Sequence, residues 1–345
     1  MKHRGDMKHQ DSMTIRSEMK GHTMIKRIAT LAVLLVSIAG GSPAFAQSFP
    51  NKPVRLIVPA AAGGGFDLIA RMLGERVSTA WGNPVVIENR PGGGHVVASS
   101  YVAKADPDGY TLLVCGGNHT LNPFLHSSLP YDTQKDFESV VLLAKTPFVL
   151  VVHPSIPAKN LREFVEYAKS RKGDLNFTAT QPNGAAHLSG ELLKRTAGFE
   201  MTFIAYKGSA PALQDVLAGR VPVMFDAPVT AMPHLKSGAT RALAVTSASR
   251  EAALPDVPTI AESGYPTVDV SAWVALVAPA RTPVAVTEKI NAGFVQALNE
   301  PEVRARLASQ GWTVTASSRQ GLTDFVKSEL DRWGVVVRAA KLRAD

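Results

Sequence analysis

The sequence predicts an α/β protein with largely parallel sheets, folded as two lobes that the chain passes between twice. Three observations carry this. Short apolar runs alternate with segments of helical periodicity throughout residues 47–345, a stretch of 299 residues and long enough for two cores. The runs fall into groups separated near Ala144-Lys145-Thr146-Pro147 and again near Ser247-Ala248-Ser249-Arg250, with no internal repeat or low-complexity linker. The first run, Val54-Arg55-Leu56-Ile57-Val58, passes through Pro59-Ala60-Ala61-Ala62-Gly63-Gly64-Gly65 straight into a helical pattern from Phe66. Lobe one is expected to hold residues 47–144 and 250–345, and lobe two residues 145–249; two crossings make a hinge.

Taken in order, strands are expected at 54–58, 85–88, 111–114, 140–143, 148–152, 176–179, 202–204, 221–225, 241–245 and 273–278, each an apolar run bounded by turn residues. Helices fall between most of them. Leu68, Ile69, Met72, Leu73 and Val77 are expected on one buried face of the first, and Leu188 and Leu192 repeat the pattern later with Glu191 outward. Asn160 is the expected N-cap of a helix running through Ala168, and prolines open helices at 283–298 and 301–310. Leu254-Pro255-Asp256-Val257-Pro258-Thr259 must be extended or turned. Leu322, Phe325, Val326, Leu330, Trp333 and Val337 predict a last helix over 321–341 that packs back onto a lobe.

The amino terminus reads as an export signal. Lys20, Lys26 and Arg27 precede an apolar run from Ile28 to Ala39, and Ala44-Phe45-Ala46 offers small-residue cleavage, so a mature chain is expected to begin at Gln47. The run is short for a bilayer span. Residues 1–21 are charged, lack an apolar face and precede Met13, Met19 and Met24, a pattern expected of a start site placed too early. Removing residues 1–46 leaves thirty Lys/Arg against twenty-six Asp/Glu, so the formal charge falls from +8 to +4. A mild positive excess suits an anionic small molecule, and no basic cluster interleaved with aromatics points to nucleic acid. The single cysteine, Cys115, excludes an intramolecular disulfide and sits in a strand pattern, as expected of a buried thiol. No Cys/His cluster has metal spacing, and no cofactor motif is complete.

The glycine loop makes an anion cradle. Three glycines let backbone approach a ligand, and the helix that follows leaves amides unpaired at the positive end of its dipole. The same turn also serves merely to tighten a βα connection. Cleft candidates are Pro59, Ala60, Ala62, Gly63, Gly64, Gly65, Phe66 and Asp67, the last either meeting ligand, orienting the loop or capping its helix. Asn118 and His119 follow another strand end, and Asp226 a third, where cleft residues belong in α/β sheets.

Several stretches together resemble the Bug family of extracytoplasmic solute receptors. They are Lys52 to Pro59 with Ala62-Gly63-Gly64-Gly65-Phe66-Asp67, Glu88-Asn89-Arg90-Pro91-Gly92, Ala105-Asp106-Pro107-Asp108-Gly109-Tyr110, His187-Leu188-Ser189-Gly190-Glu191-Leu192 and Tyr206-Lys207-Gly208-Ser209. Their order is more specific than any one of them. The resemblance implies a periplasmic binding fold of type II, closing on a small carboxylate and delivering it to a tripartite tricarboxylate-type permease in the inner membrane. It also implies a facing loop from lobe two, here Thr178-Ala179-Thr180-Gln181-Pro182-Asn183-Gly184-Ala185-Ala186-His187. From it Thr180, Gln181, Asn183, Gly184, Ala185 and His187 are the expected ligand residues, with Asn183 as helix N-cap and His187 either donating to a carboxylate or bonded structurally. Gln181 and Asn183 stand where the family commonly has glycine. Lys207 in Tyr206-Lys207-Gly208-Ser209 lines the lobe-two side or is simply solvated.

Two other classes compete. An exported sensing subunit would carry the same site and present it to a membrane histidine kinase. An enzyme is disfavoured: no Lys-Ser/Thr follows the glycines, no G-x-G-x-x-G stands in frame, and no G-x-S-x-G elbow exists. The aromatic content is low, 7%, and only Phe66, Phe124 and Phe148 fall near expected cleft loops, which permits a ring in the ligand.

Overall fold

The computed structural model describes residues 49–180, 182–206, 209–340 and 342–343. The export signal, its cleavage site, Gln181 and the Lys207-Gly208 pair lie outside the described residues. Among the described residues no helix is long and apolar enough to cross a membrane.

The first sheet contains β1 (Val54–Val58), β2 (Val85–Asn89), β3 (Thr111–Gly116), β4 (Phe137–Pro147), β10 (Ser271–Pro279) and β11 (Thr313–Val314), in the order β11-β4-β10-β3-β1-β2. The second holds β5 (Val149–Val152), β6 (Asn176–Ala179), β7 (Thr202–Phe203), β8 (Val223–Asp226) and β9 (Arg241–Val245), in the order β7-β6-β8-β5-β9. All ten expected strands form; β11 is additional, and its two residues are too few to carry a period-2 signal. The sheets are mixed rather than largely parallel. β1 runs parallel to β2 and β3, and β6 to β7 and β8, but β10 is antiparallel to β3 and β4, and β5 to β8 and β9. β11 is antiparallel to β4 as well. β5 and β10 are the strands by which the chain enters each sheet from the other lobe, and each enters against its neighbours' direction.

The helices are α1 (Gly65–Trp81), α2 (Val96–Ala103), α3 (Asn118–Leu125), α4 (Leu161–Ser170), α5 (Ala185–Ala197), α6 (Ser209–Leu217), α7 (Pro228–Lys236), α8 (Val284–Leu298), α9 (Pro301–Ser309) and α10 (Arg319–Ala340). In α1 the buried line is Ile69, Leu73 and Val77, one residue per turn, while Leu68 stands one helical step away and is 44% exposed. Glu191 is not fully outward: it folds against Lys194, which donates to both its oxygens at 3.0 Å. Asn160 caps α4, its Oδ1 accepting from the Glu163 amide at 2.9 Å, while Glu163 reaches back to accept from Asn160 Nδ2 at 2.8 Å and from the Lys159 amide at 2.7 Å. Pro283 stands at the N-cap of α8 rather than inside its first turn. Cys115 is buried, and burial pushes its thiol up, so it stays a thiol.

The hinge is tied by one buried side chain. The chain leaves the first sheet at Pro147 and starts the second at Val149, and it re-enters the first at Ser271. Thr246 bonds both passages: its amide donates to the Phe148 carbonyl (2.9 Å), its hydroxyl accepts from the Phe148 amide (2.8 Å) and donates to the Val270 carbonyl (2.5 Å). The stretch before Ser271 stays with the second sheet, because Leu254 and Val257 join the core beneath β5 and β8 and Ile260, Val268 and Val270 are fully buried. The last helix packs back as expected. It begins against β4, Leu322 being buried in the core of the first sheet, and ends with Trp333, Val336 and Val337 beside Leu121 and Leu125 in a core continuous with that of the second lobe.

Candidate functional site

Strand ends and helix starts build the site. β1, β2 and β3 run in register, Val58 opposite Asn89, so their carboxyl ends open on one edge of the first sheet. The loops that follow must turn there, and the edge is where α/β sheets bind ligands.

The β1–α1 loop is built to hold backbone amides forward. Gly63 adopts φ +84°, which only glycine enters at no steric cost, and Gly64 is the N-cap of α1 in extended conformation, with no side chain capping the helix. No side chain therefore caps the first turn of α1. Asp67 turns away from the cleft to brace the loop: its Oδ2 accepts from the Gly63 amide and from Arg71 Nε, both at 2.9 Å, and its Oδ1 from Asn89 Nδ2 at 2.9 Å. Asn89 donates also to the Ala60 carbonyl at 3.0 Å, which fixes the other end of the loop. The Arg71 guanidinium, then the Gly63 amide and Asn89, hold the Asp67 carboxyl at about 2 despite its burial.

The β6–α5 loop repeats this construction. Asn183 takes φ +54°, Gly184 is an extended N-cap without side-chain cap, and α5 starts at Ala185. The Asn183 amide donates to His187 Nδ1 at 3.1 Å, as the Gly63 amide does to Asp67, in each case four residues on. The N-cap is thus Gly184 and not Asn183, whose side chain instead donates to the Arg343 carbonyl at 3.2 Å. Asn tolerates the left-handed region better than other side chains, which explains how it can stand at this φ. The His187 ring lies inside the lobe, 3% exposed and stacked 3.6 Å from Phe203.

Between these starts lies a cavity of about 240 Å³ lined by Gly65, Phe66, His95, Gly117, Asn118, Phe148, Thr180, Ala185, Ala186, Ala272, Trp273 and Trp312. Five expected residues, Gly65, Phe66, Asn118, Thr180 and Ala185, are on its wall. Pro59, Ala60, Ala62, Gly63 and Gly64 shape the loop behind it, with Gly184 at the head of α5. His119 is buried against Phe137, and Asp226 is buried with Oδ1 accepting from the Ala227 amide and the Thr230 hydroxyl. Both stand off the cavity wall.

Sequence reasoning missed His95, Gly117, Ala186, Ala272, Trp273, Trp312 and the bracing Asn89. Asn89 was visible as part of Glu88-Asn89-Arg90-Pro91-Gly92 at the end of a strand, a position that now has its physical role. Trp312 gave no local signal, because it follows α9 and reaches the site only by packing over the first residue of α1. Gly116 leaves room for the site's aromatic wall: a Cβ there would lie 2.5 Å from the Phe66 ring and 2.7 Å from the Trp273 carbonyl. Gly117 lies across from lobe two, its Cβ position 4.0 Å from that of Ala185.

None of the lining residues carries a formal charge at neutral pH. His95, its ring edge-on to Phe66 at 5.4 Å, is held neutral by burial, which lowers it to about 4. The positive ends of two helix dipoles, those of α1 and α5, meet the cavity instead.

Two α/β lobes around a cavity with helix starts on both walls define the class of bilobal solute-binding proteins. The profile of the TctC family, tripartite tricarboxylate transporter family receptors, matches residues 69–342, and the chain belongs to that family. It is similar to BugT of Bordetella pertussis, with 33% identity over 324 residues covering 93% of this chain and 99% of BugT. Among solved structures it is similar to Rpa4515 of R. palustris with adipate (34% identity, TM-score 0.73, 86% and 99% of the two chains). It is also similar to MatC of Rhodopseudomonas palustris with bound malate (36% identity, TM-score 0.69, 84% and 100%). The family is one of receptors, not of enzymes.

Proposed function

We propose that this protein is an exported periplasmic receptor, cleaved after Ala46, that captures a small carboxylate between its lobes and delivers it to a tripartite tricarboxylate-type permease of the inner membrane. One observation carries the ligand class. Two helices with glycine N-caps and no side-chain caps, α1 and α5, bring their first residues to the same cavity, one from each lobe. A carboxylate there accepts amide hydrogen bonds from both starts, and closure excludes water and strengthens them. The grip needs no arginine. Because it draws on both lobes, the anion stabilises the closed form and links occupancy to the shape that a membrane partner reads. The adipate and malate bound to two relatives support the same class.

A thermal-shift screen against carboxylates, inorganic phosphate, sugars and nucleotides tests this. A carboxylate at a hundred times its dissociation constant adds about 2.7 kcal/mol, a shift of several degrees at this size. Stabilisation by phosphate or nucleotides alone would overturn the reading. Crosslinking in membranes with and without ligand tests the permease.

A further inference from the structure

We propose that the ligand of this cavity is a small monocarboxylate whose body is a single uncharged aromatic ring; the inference rests on the carboxylate reading above. Aromatic residues from four places in the chain share the wall with the two helix starts. Phe66 comes from α1, Phe148 from the first hinge crossing, Trp273 from β10 and Trp312 from the loop after α9, with Ala186 and Ala272 between them. These groups come from separate parts of the chain, and several are fixed. The Trp273 indole donates to buried Glu329 at 3.1 Å, its ring meets Phe325 edge-on, and Trp312 packs over Gly65. Rigid flat walls favour a flat guest, which gains ring-on-ring contact without ordering a flexible chain.

Charge decides the rest. Once one carboxylate occupies the helix starts, the remaining polar lining is His95, Asn118 and Thr180, all uncharged at neutral pH. A second carboxylate on the ligand would lose its water and meet no cation on the wall, a costly burial. Size agrees, since about 240 Å³ lies below the roughly 300–1,000 Å³ of sites for drug-sized ligands and leaves room for one ring.

Calorimetry of the purified protein with benzoate, cyclohexanecarboxylate, adipate and benzamide tests this. Benzoate is expected to bind at least tenfold tighter than cyclohexanecarboxylate and adipate, with no heat from benzamide. Trp312→Leu is expected to weaken benzoate at least tenfold while leaving the melting temperature of the unliganded protein unchanged. Adipate tighter than benzoate, or cyclohexanecarboxylate equal to it, overturns the aromatic inference and leaves the carboxylate reading standing. Benzamide binding as tightly as benzoate, or no carboxylate binding, overturns the carboxylate reading itself.

Discussion

At the scale of single residues, the site depends on side chains that never touch its cavity. Asp67 and His187 occupy equivalent places in two unrelated stretches of sequence, each accepting from the amide four residues before it and so holding a left-handed residue and a glycine N-cap in place. Removing the acceptor leaves a donor unpaired, a loss of about 1–3 kcal/mol. Asp67→Ala, which leaves the Gly63 amide without its acceptor and removes one of the two acceptors of Asn89 Nδ2, is expected to lower the melting temperature and weaken the ligand by about tenfold or more; an unchanged dissociation constant by calorimetry would show that the loop holds its shape unaided. Gly117 tests the cavity from the other side. Its φ is −47°, so a side chain brings no backbone strain. Gly117→Ala puts a methyl in ordinary contact with Ala185 and is expected to bind nearly as the parent does, whereas Gly117→Leu fills the gap between lobes and should abolish binding with folding intact by circular dichroism.

At the scale of elements, caps divide into two kinds. α4 is capped by a side chain, that of Asn160, and is stabilised by it; α1 and α5 begin on glycine with no side-chain cap. Asn160→Ala is therefore expected to cost about 1 kcal/mol in urea unfolding with ligand affinity unchanged, and a matching loss of affinity would mean that α4 is coupled to the cleft. The elements were the most legible part of the sequence. Val54–Val58 and Asn176–Ala179 followed from apolar runs between turn residues, and Asn160 from capping chemistry. Strand direction was not legible. β10 reads like any apolar run, and only its arrival from the second lobe sets it antiparallel to β3 and β4.

For the whole molecule, acid should act in two steps. Burial holds His119 and His95 near 4, with mutual repulsion adding to the effect at His119, against about 6.5 unfolded. Between those values the unfolded chain binds protons that the native one does not, so stability falls as pH drops from about 6.5 towards 4. Asp67 has the opposite sign: its carboxyl, near 2 when folded, contributes stability above about 3.8 that is lost as pH falls towards 2. Urea midpoints should thus be flat from pH 7 to 8 and decline below about 6.5, with a shallower decline in His119→Leu. A midpoint constant from pH 7 to 4.5 would contradict neutral buried histidines.

What the sequence determined by itself was local: where strands and helices form, and that a glycine turn feeds a helix start after β1, because periodicity and turn chemistry act over a few residues; the second helix start was expected one residue early, capped by Asn183 instead of Gly184. Tertiary structure alone decided which groups meet. It brought Phe148 from the hinge and Trp312 from beyond α9 to one wall, moved Phe124 of the three anticipated aromatics away, and turned Asp67 and His187 into braces. Contacts between residues hundreds of positions apart depend on how two lobes pack, and no local pattern encodes that packing.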